Sequence, residues 1–154
     1  MSRAFVKEDD SGGVDPLPDR IVSPHPNFVT PEGLAAIERA LAQLQQRHAA
    51  ALQAQDRAEQ SAVARELRYW STRRGSAQVI KASQSPPEVA FGNTVTIKRD
   101  DGRLQGWRIV GEDEADPAQG TLSYVSPVAR ALIGKRIGDT VRAGNADAEI
   151  VGIS

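Results

Sequence analysis

Residues 30–80 read TPEGLAAIERALAQLQQRHAAALQAQDRAEQSAVARELRYWSTRRGSAQVI, and the spacing of their seam residues decides the first half of the fold. Thr30-Pro31-Glu32 is a helix start. It offers a hydroxyl cap, a proline at the first helical position where its missing N–H matters least, and an acid at the positive end of the helix dipole. Leu34, Ile37, Leu41, Leu44, His48 and Ala51 then follow in alternating steps of three and four. Val63, Leu67, Trp70, Arg74 and Ala77 form a second seam of the same kind. Laid antiparallel, one register pairs Leu34 with Ala77, Ile37 with Arg74, Leu41 with Trp70, Leu44 with Leu67 and His48 with Val63. That register puts the turn between Gln55 and Asp56, in the polar stretch QAQDRAEQS. The pattern predicts an antiparallel helical hairpin, a short coiled coil folded on itself. On its seams, Arg74 is expected to pack its stem and keep its head wet. His48 reads as a partly buried imidazole rather than a metal ligand, because no cysteine and only His25 could join it.

Working outward, residues 1–29 carry four prolines, two glycines and five acids against three basic residues, with no period of 2 or 3.6. They read as a mostly disordered acidic tail whose end runs extended into the first helix. On the other side, residues 81–88 (KASQSPPE) read as a linker. From Val89 the period moves toward 2. Asn93–Arg99 and Arg103–Val110 are predicted strands around the Asp100-Asp101-Gly102 turn. A loop holding Glu112, Asp113, Glu114 and Asp116 follows, closed by Pro117 and Gly120. Then come a strand over Thr121–Val125, a short helix capped by Ser126-Pro127 and stopped at Gly134, and two strands centred on Thr140–Val141 and Glu149–Ile153. Residues 89–154 are therefore expected to be a small domain with an antiparallel sheet and one short helix, giving an α+β chain.

Composition removes whole classes of function. The 154 residues contain no cysteine, so disulfide scaffolds, thiolate zinc sites, Fe–S clusters and thiol nucleophiles are excluded. Nineteen basic residues against twenty acidic ones leave a net charge of -1, without the surplus a general nucleic-acid coat needs. No apolar run approaches the roughly 18 residues of a membrane span, and MSRAFVKEDD lacks the apolar core of a secretory signal. A cytoplasmic protein without membrane contact is expected. There is no phosphate loop and no dinucleotide fingerprint, and neither histidine lies in the C-terminal domain to serve a nucleophile.

What remains is carboxylate chemistry. The loop Glu112–Asp116 reads as a solvated turn ahead of a divalent-cation site, because it lacks spaced oxygen ligands. Asp56 and Glu59 stand three residues apart at the hairpin turn, on one face if a helix begins there. Two such acids serve a helix start electrostatically. They also hold Mg²⁺ weakly alone, and firmly only when another site completes the shell.

The stretches Phe91-Gly92-Asn93-Thr94-Val95-Thr96, Arg108-Ile109-Val110-Gly111-Glu112-Asp113-Glu114-Ala115-Asp116, and Ser126-Pro127-Val128-Ala129-Arg130-Ala131-Leu132-Ile133-Gly134-Lys135 with Ile137-Gly138-Asp139 resemble the C-terminal half of the bacterial Gre transcript-cleavage factors, the GreA/GreB family. Thr30–Leu44 is similar to that family's first-helix entry. Arg68-Tyr69-Trp70 through Ala77-Gln78-Val79-Ile80 is similar to its second-helix exit, while residues 1–29 have no counterpart. The resemblance implies an FKBP-like C-terminal domain docked on RNA polymerase near its secondary channel, with the hairpin entering that channel. It implies contact with nascent RNA and DNA only inside that complex and no cofactor of its own, while a net charge near zero and a hairpin seam satisfied within the chain suit a monomer. By the same resemblance, tip acids help hold a second Mg²⁺ at the polymerase centre, where two-metal hydrolysis shortens backtracked RNA. Asp56 and Glu59 are the candidate tip acids, and Val125, Ser126, Pro127 and Arg130 the candidate docking edge.

The tip departs from the family pattern. Gly-Asp-x-x-Glu-Asn followed by Tyr becomes Gln55-Asp56-Arg57-Ala58-Glu59-Gln60 here. Each arm is also about eight to ten residues shorter, or roughly 12–15 Å of reach at 1.5 Å per residue. Magnesium binds oxygen at about 2.0–2.1 Å, so a deficit of that size keeps the acids off the ion. The expectation is a channel-binding factor that modulates elongation and stimulates cleavage weakly or not at all. A full cleavage factor, a prolyl isomerase on the FKBP-like fold, and a regulator of a metabolic enzyme are the alternatives.

Overall fold

The computed structural model describes residues 16–154. Helix α1 runs Pro31–Gln53 and α2 runs Arg57–Ser76, joined at Ala54, Gln55 and Asp56. They lie against each other as the predicted hairpin. Gln60 donates to the Ala51 carbonyl at 3.1 Å and Arg74 pairs with Glu38 at 3.0 Å, both within one position of the expected register. Ile37, Leu44, Ala51 and Val63 are buried along the seam, and His48 is half-buried. Arg74 is about half exposed. The buried arginine is its neighbour Arg73, whose side chain is 2% exposed. The heptad pattern misplaces it because Arg73 faces away from the α1 seam, toward the C-terminal domain.

Two short strands tie the feet of the hairpin together. Strand β1 (Phe28–Val29) precedes α1, β2 (Gln78–Val79) follows α2, and they pair in parallel. The expected disordered tail is corrected here over residues 16–29: Asn27 and Val29 are buried, and Asp19, Arg20 and Ser23 bond to distant parts of the chain. Polar side chains do this ordering, so an apolar period gives no sign of it. The first fifteen residues of that tail lie outside the described residues.

The C-terminal half is a five-stranded sheet in the order β5-β4-β3-β7-β6, formed by β3 (Thr94–Arg99), β4 (Leu104–Val110), β5 (Thr121–Ser123), β6 (Thr140–Ala143) and β7 (Ala146–Ile153). Helix α3 (Pro127–Leu132) lies against β5 and β6. The sheet is mixed rather than wholly antiparallel, because β4 and β5 pair in parallel. Parallel neighbours need a crossover. Here it is the acidic loop and a single 3₁₀ turn at Pro117–Gln119, which period-2 reading takes for a simple reversal. One continuous core of Val89, Val95, Ile97, Ile109, Leu132 and Ile150, among others, fills the space between sheet and helix. Among the described residues no helix is long and apolar enough to cross a membrane.

Candidate functional site

The hairpin tip is built by one carboxylate. Asp56 caps α2 by accepting from the Glu59 amide at 3.0 Å. To reach that cap the chain passes through Gln55 at φ 52°, the left-handed region that costs an L-residue roughly 1–2 kcal/mol. Glu59 in turn accepts from Arg47 across the hairpin, at 2.6 Å from Nη2 and 3.1 Å from Nε. The two acids the sequence singled out thus sit together at the tip, one holding the helix start and the other pairing with the opposite arm. Both are solvent-facing, and among the described residues no group of three or more His, Cys, Asp or Glu side chains is arranged to hold a metal. Such a tip offers at most two carboxylates to an ion whose other ligands come from elsewhere.

At the opposite end of the hairpin, the acidic loop is more than a solvated turn: it fastens the hairpin to the sheet. The Glu114 carboxylate accepts from the Thr30 amide at 3.0 Å, from the Thr30 hydroxyl, and from the Gly111 amide at 3.1 Å. Thr30 Oγ1 meanwhile accepts from Gly33 at 3.0 Å, so one hydroxyl is both donor to the carboxylate and cap of α1. A negative charge at this helix start is favoured by the dipole. The approach is possible because residue 33 lacks a Cβ. A side chain there would run into the Glu114 carboxyl, and one at Gly111 would run into the Phe28 carbonyl.

Asp113 serves α2. It accepts from Arg73 Nε at 2.5 Å and from the Tyr69 hydroxyl. Arg73 Nη2 also donates to Asn27 Oδ1 at 2.8 Å, and Asn27 Nδ2 donates to the Arg73 carbonyl at 2.8 Å. Glu112 stands 3.8 Å from Arg73 Nη2, an ion-pair distance without a hydrogen bond. Burial first, then the hydrogen bond to Asp113, pushes the Tyr69 hydroxyl up to about 12. Nearer the sheet, Glu32 pairs with Arg108 at 3.3 Å. Its own backbone amide, and then Arg108, hold its carboxyl below the usual range. Asn27 and Arg73 escaped the sequence reading, as did the fastening role of Asp113 and Glu114. The available signal was glycine in the first turn of a helix, at Gly33, where propensity alone disfavours it.

The proposed docking edge lies on the sheet domain. Ser126 caps α3 by accepting from Ala129 at 3.3 Å, with Val125 and Ser126 half-buried and Pro127 and Arg130 exposed. On the same domain, Phe91 and Tyr124 do not line an open aromatic pocket. Phe28 packs on both, with ring centroids 6.2 Å and 5.3 Å away, and the Tyr124 hydroxyl donates to the Pro26 carbonyl.

With this geometry in place, comparison with known proteins is informative. The family described as "Transcription elongation factor, GreA/GreB, C-term" matches residues 84–154, which contain the whole sheet, α3 and the acidic loop. Residues 84–154 are thus similar to the C-terminal domain of the GreA/GreB family. Transcription elongation factor GreB of Neisseria meningitidis is 44% identical over 79 residues, covering 50% of this chain and 48% of that protein. Transcription elongation factor GreA of Methylobacterium nodulans is 49% identical over 84 residues, covering 51% and 53%. The chain thus spans about half the length of the curated relatives it matches. Among solved structures, GreA factor homolog 1 of Thermus thermophilus aligns over 84% of this chain and 99% of its own, at 16% identity and a TM-score of 0.42. A likeness at that level bears on neither docking nor activity. The family match begins after the hairpin, at residue 84.

Proposed function

We propose that this protein is a Gre-class transcription elongation factor that binds RNA polymerase at the mouth of the secondary channel and modulates elongation while stimulating RNA cleavage weakly or not at all. The observation that carries the reading is a GreA/GreB C-terminal domain fastened to a two-helix finger whose first arm has 23 residues. At 1.5 Å per residue that arm is about 35 Å long. The tip supports the second half of the proposal. Asp56 uses one carboxylate oxygen as a helix cap and Glu59 uses one on Arg47, so each has a single oxygen left to offer a metal. The factor performs no chemistry itself. Any Mg²⁺ and the hydrolytic centre belong to the polymerase, and docking supplies the effective concentration that weak carboxylates lack. The reading makes the factor a cytoplasmic monomer, docked through Val125, Ser126, Pro127 and Arg130.

The test is a stalled, backtracked polymerase complex mixed with the purified protein. Binding without RNA shortening is the expected result. Rapid shortening that disappears in the Asp56→Ala, Glu59→Ala double variant overturns the short-reach half and leaves a full cleavage factor. Failure to bind polymerase overturns the whole reading. Pro127 is exposed, so a folded Pro127→Ala variant is expected to weaken binding, and unaltered binding removes Pro127 from the docking edge.

A further inference from the structure

We propose that residues 16–29 are a brace that sets the angle between the helical finger and the sheet domain. The inference stands on intramolecular geometry and does not depend on the polymerase reading. The segment straddles both bodies. On the finger, Arg20 lays its guanidinium 3.7 Å from the ring centroid of Tyr69 and 5.9 Å from that of Trp70, and bonds Glu66 at 2.7 Å. Asp19 takes Arg68 at 2.5 Å one turn away. On the sheet domain, Ser23 donates to Glu112 at 2.9 Å, Tyr124 donates to the Pro26 carbonyl, and Phe28 packs on Phe91.

These contacts converge on the polar joint. Arg20 sits on the face of Tyr69, whose hydroxyl is held by Asp113, while Ser23 is bonded to the adjacent Glu112. The brace therefore closes a ring: segment to α2, α2 to the acidic loop, acidic loop back to the segment. Apart from it, finger and sheet are linked by ion pairs and hydrogen bonds near Thr30, Arg73 and Arg108. A planar guanidinium clamped between an aromatic face and a carboxylate restricts rotation. The outer face of the brace stays in solvent at Ile21, 93% exposed, while its end is anchored by the buried Asn27 and Val29.

The absence of cysteine makes a direct measurement possible. Spin labels at Gln53→Cys near the tip and Glu149→Cys on β7 report the finger-to-sheet distance by pulsed electron resonance. A second pair, Gln45→Cys with Ser71→Cys, reports the finger alone. The proposal expects one narrow finger-to-sheet distribution in the parent. It expects at least a twofold broadening in the Asp19→Ala, Arg20→Ala, Ser23→Ala variant, while the within-finger distance stays narrow. If the triple variant loses its helical circular dichroism, the single Arg20→Ala variant takes its place under the same criterion. An unchanged finger-to-sheet width in a folded variant overturns the proposal, as does equal broadening of both label pairs.

Discussion

At the scale of single residues, two backbone positions and one ring carry most of what is testable. Gln55 occupies a left-handed turn position without being glycine, so Gln55→Gly is expected to stabilise the chain by about 1 kcal/mol in urea unfolding. Gly33 is the reverse case. Gly33→Ala improves helix propensity by about 1 kcal/mol, yet its methyl group falls on the Glu114 carboxyl. A net loss of about 1–3 kcal/mol is expected from such overpacking. Adding Glu114→Ala should recover part of it, a coupling that a double-mutant cycle reads directly. Tyr69 is a third handle. Its hydroxyl is raised from the ordinary 10 to about 12. The folded state therefore keeps a proton that the unfolded chain has lost between those values. The Tyr69 contribution is complete below pH 10 and disappears as the pH climbs toward 12. Ultraviolet titration of the folded protein should show no tyrosine ionising at its ordinary pH, because Tyr124 is raised as well, by burial and then by Glu112. Tyr69→Phe should flatten the loss of stability over that window.

At the scale of elements, the second helix depends on its cap. Asp56→Ala removes the acceptor for the Glu59 amide and should cost about 1 kcal/mol, whereas Asp56→Asn caps nearly as well and should cost little. The pair separates two roles: stability follows the cap, while any effect on metal-dependent cleavage follows the charge. The hairpin was legible in the sequence because a period of three and four over two arms leaves little freedom, and because Thr30-Pro31-Glu32 and Gln55-Asp56 mark its start and its turn. The foot was illegible for an equally physical reason. Arg73 meets Asp113 across 40 positions and Asn27 across 46, and a polar pairing of that span leaves no local period. Glu112-Asp113-Glu114 has the composition of a solvated turn, and only partners elsewhere in the chain distinguish it from one. At the tip, spacing brought Asp56 and Glu59 together correctly, but the Arg47 contact that occupies Glu59 lies on the other arm.

At the scale of the whole molecule, the family match lies in the C-terminal domain, and the proposed function makes activity depend on the length of the finger. Inserting seven residues in each arm, in register, extends the tip by about 10 Å. If short reach is what withholds cleavage, that insertion should produce RNA shortening by backtracked polymerase, read on a gel, and Asp56→Asn should abolish it. The joint adds a matter of timing. Both arms are complete once residue 76 has been made, but the carboxylates that seat them belong to residues 112–114. At about 5–20 residues per second, synthesis leaves an interval of roughly 2–7 s in which both arms are made but the acidic loop that seats them is not. A ribosome halted between these points would display a formed rod swinging on a loose root.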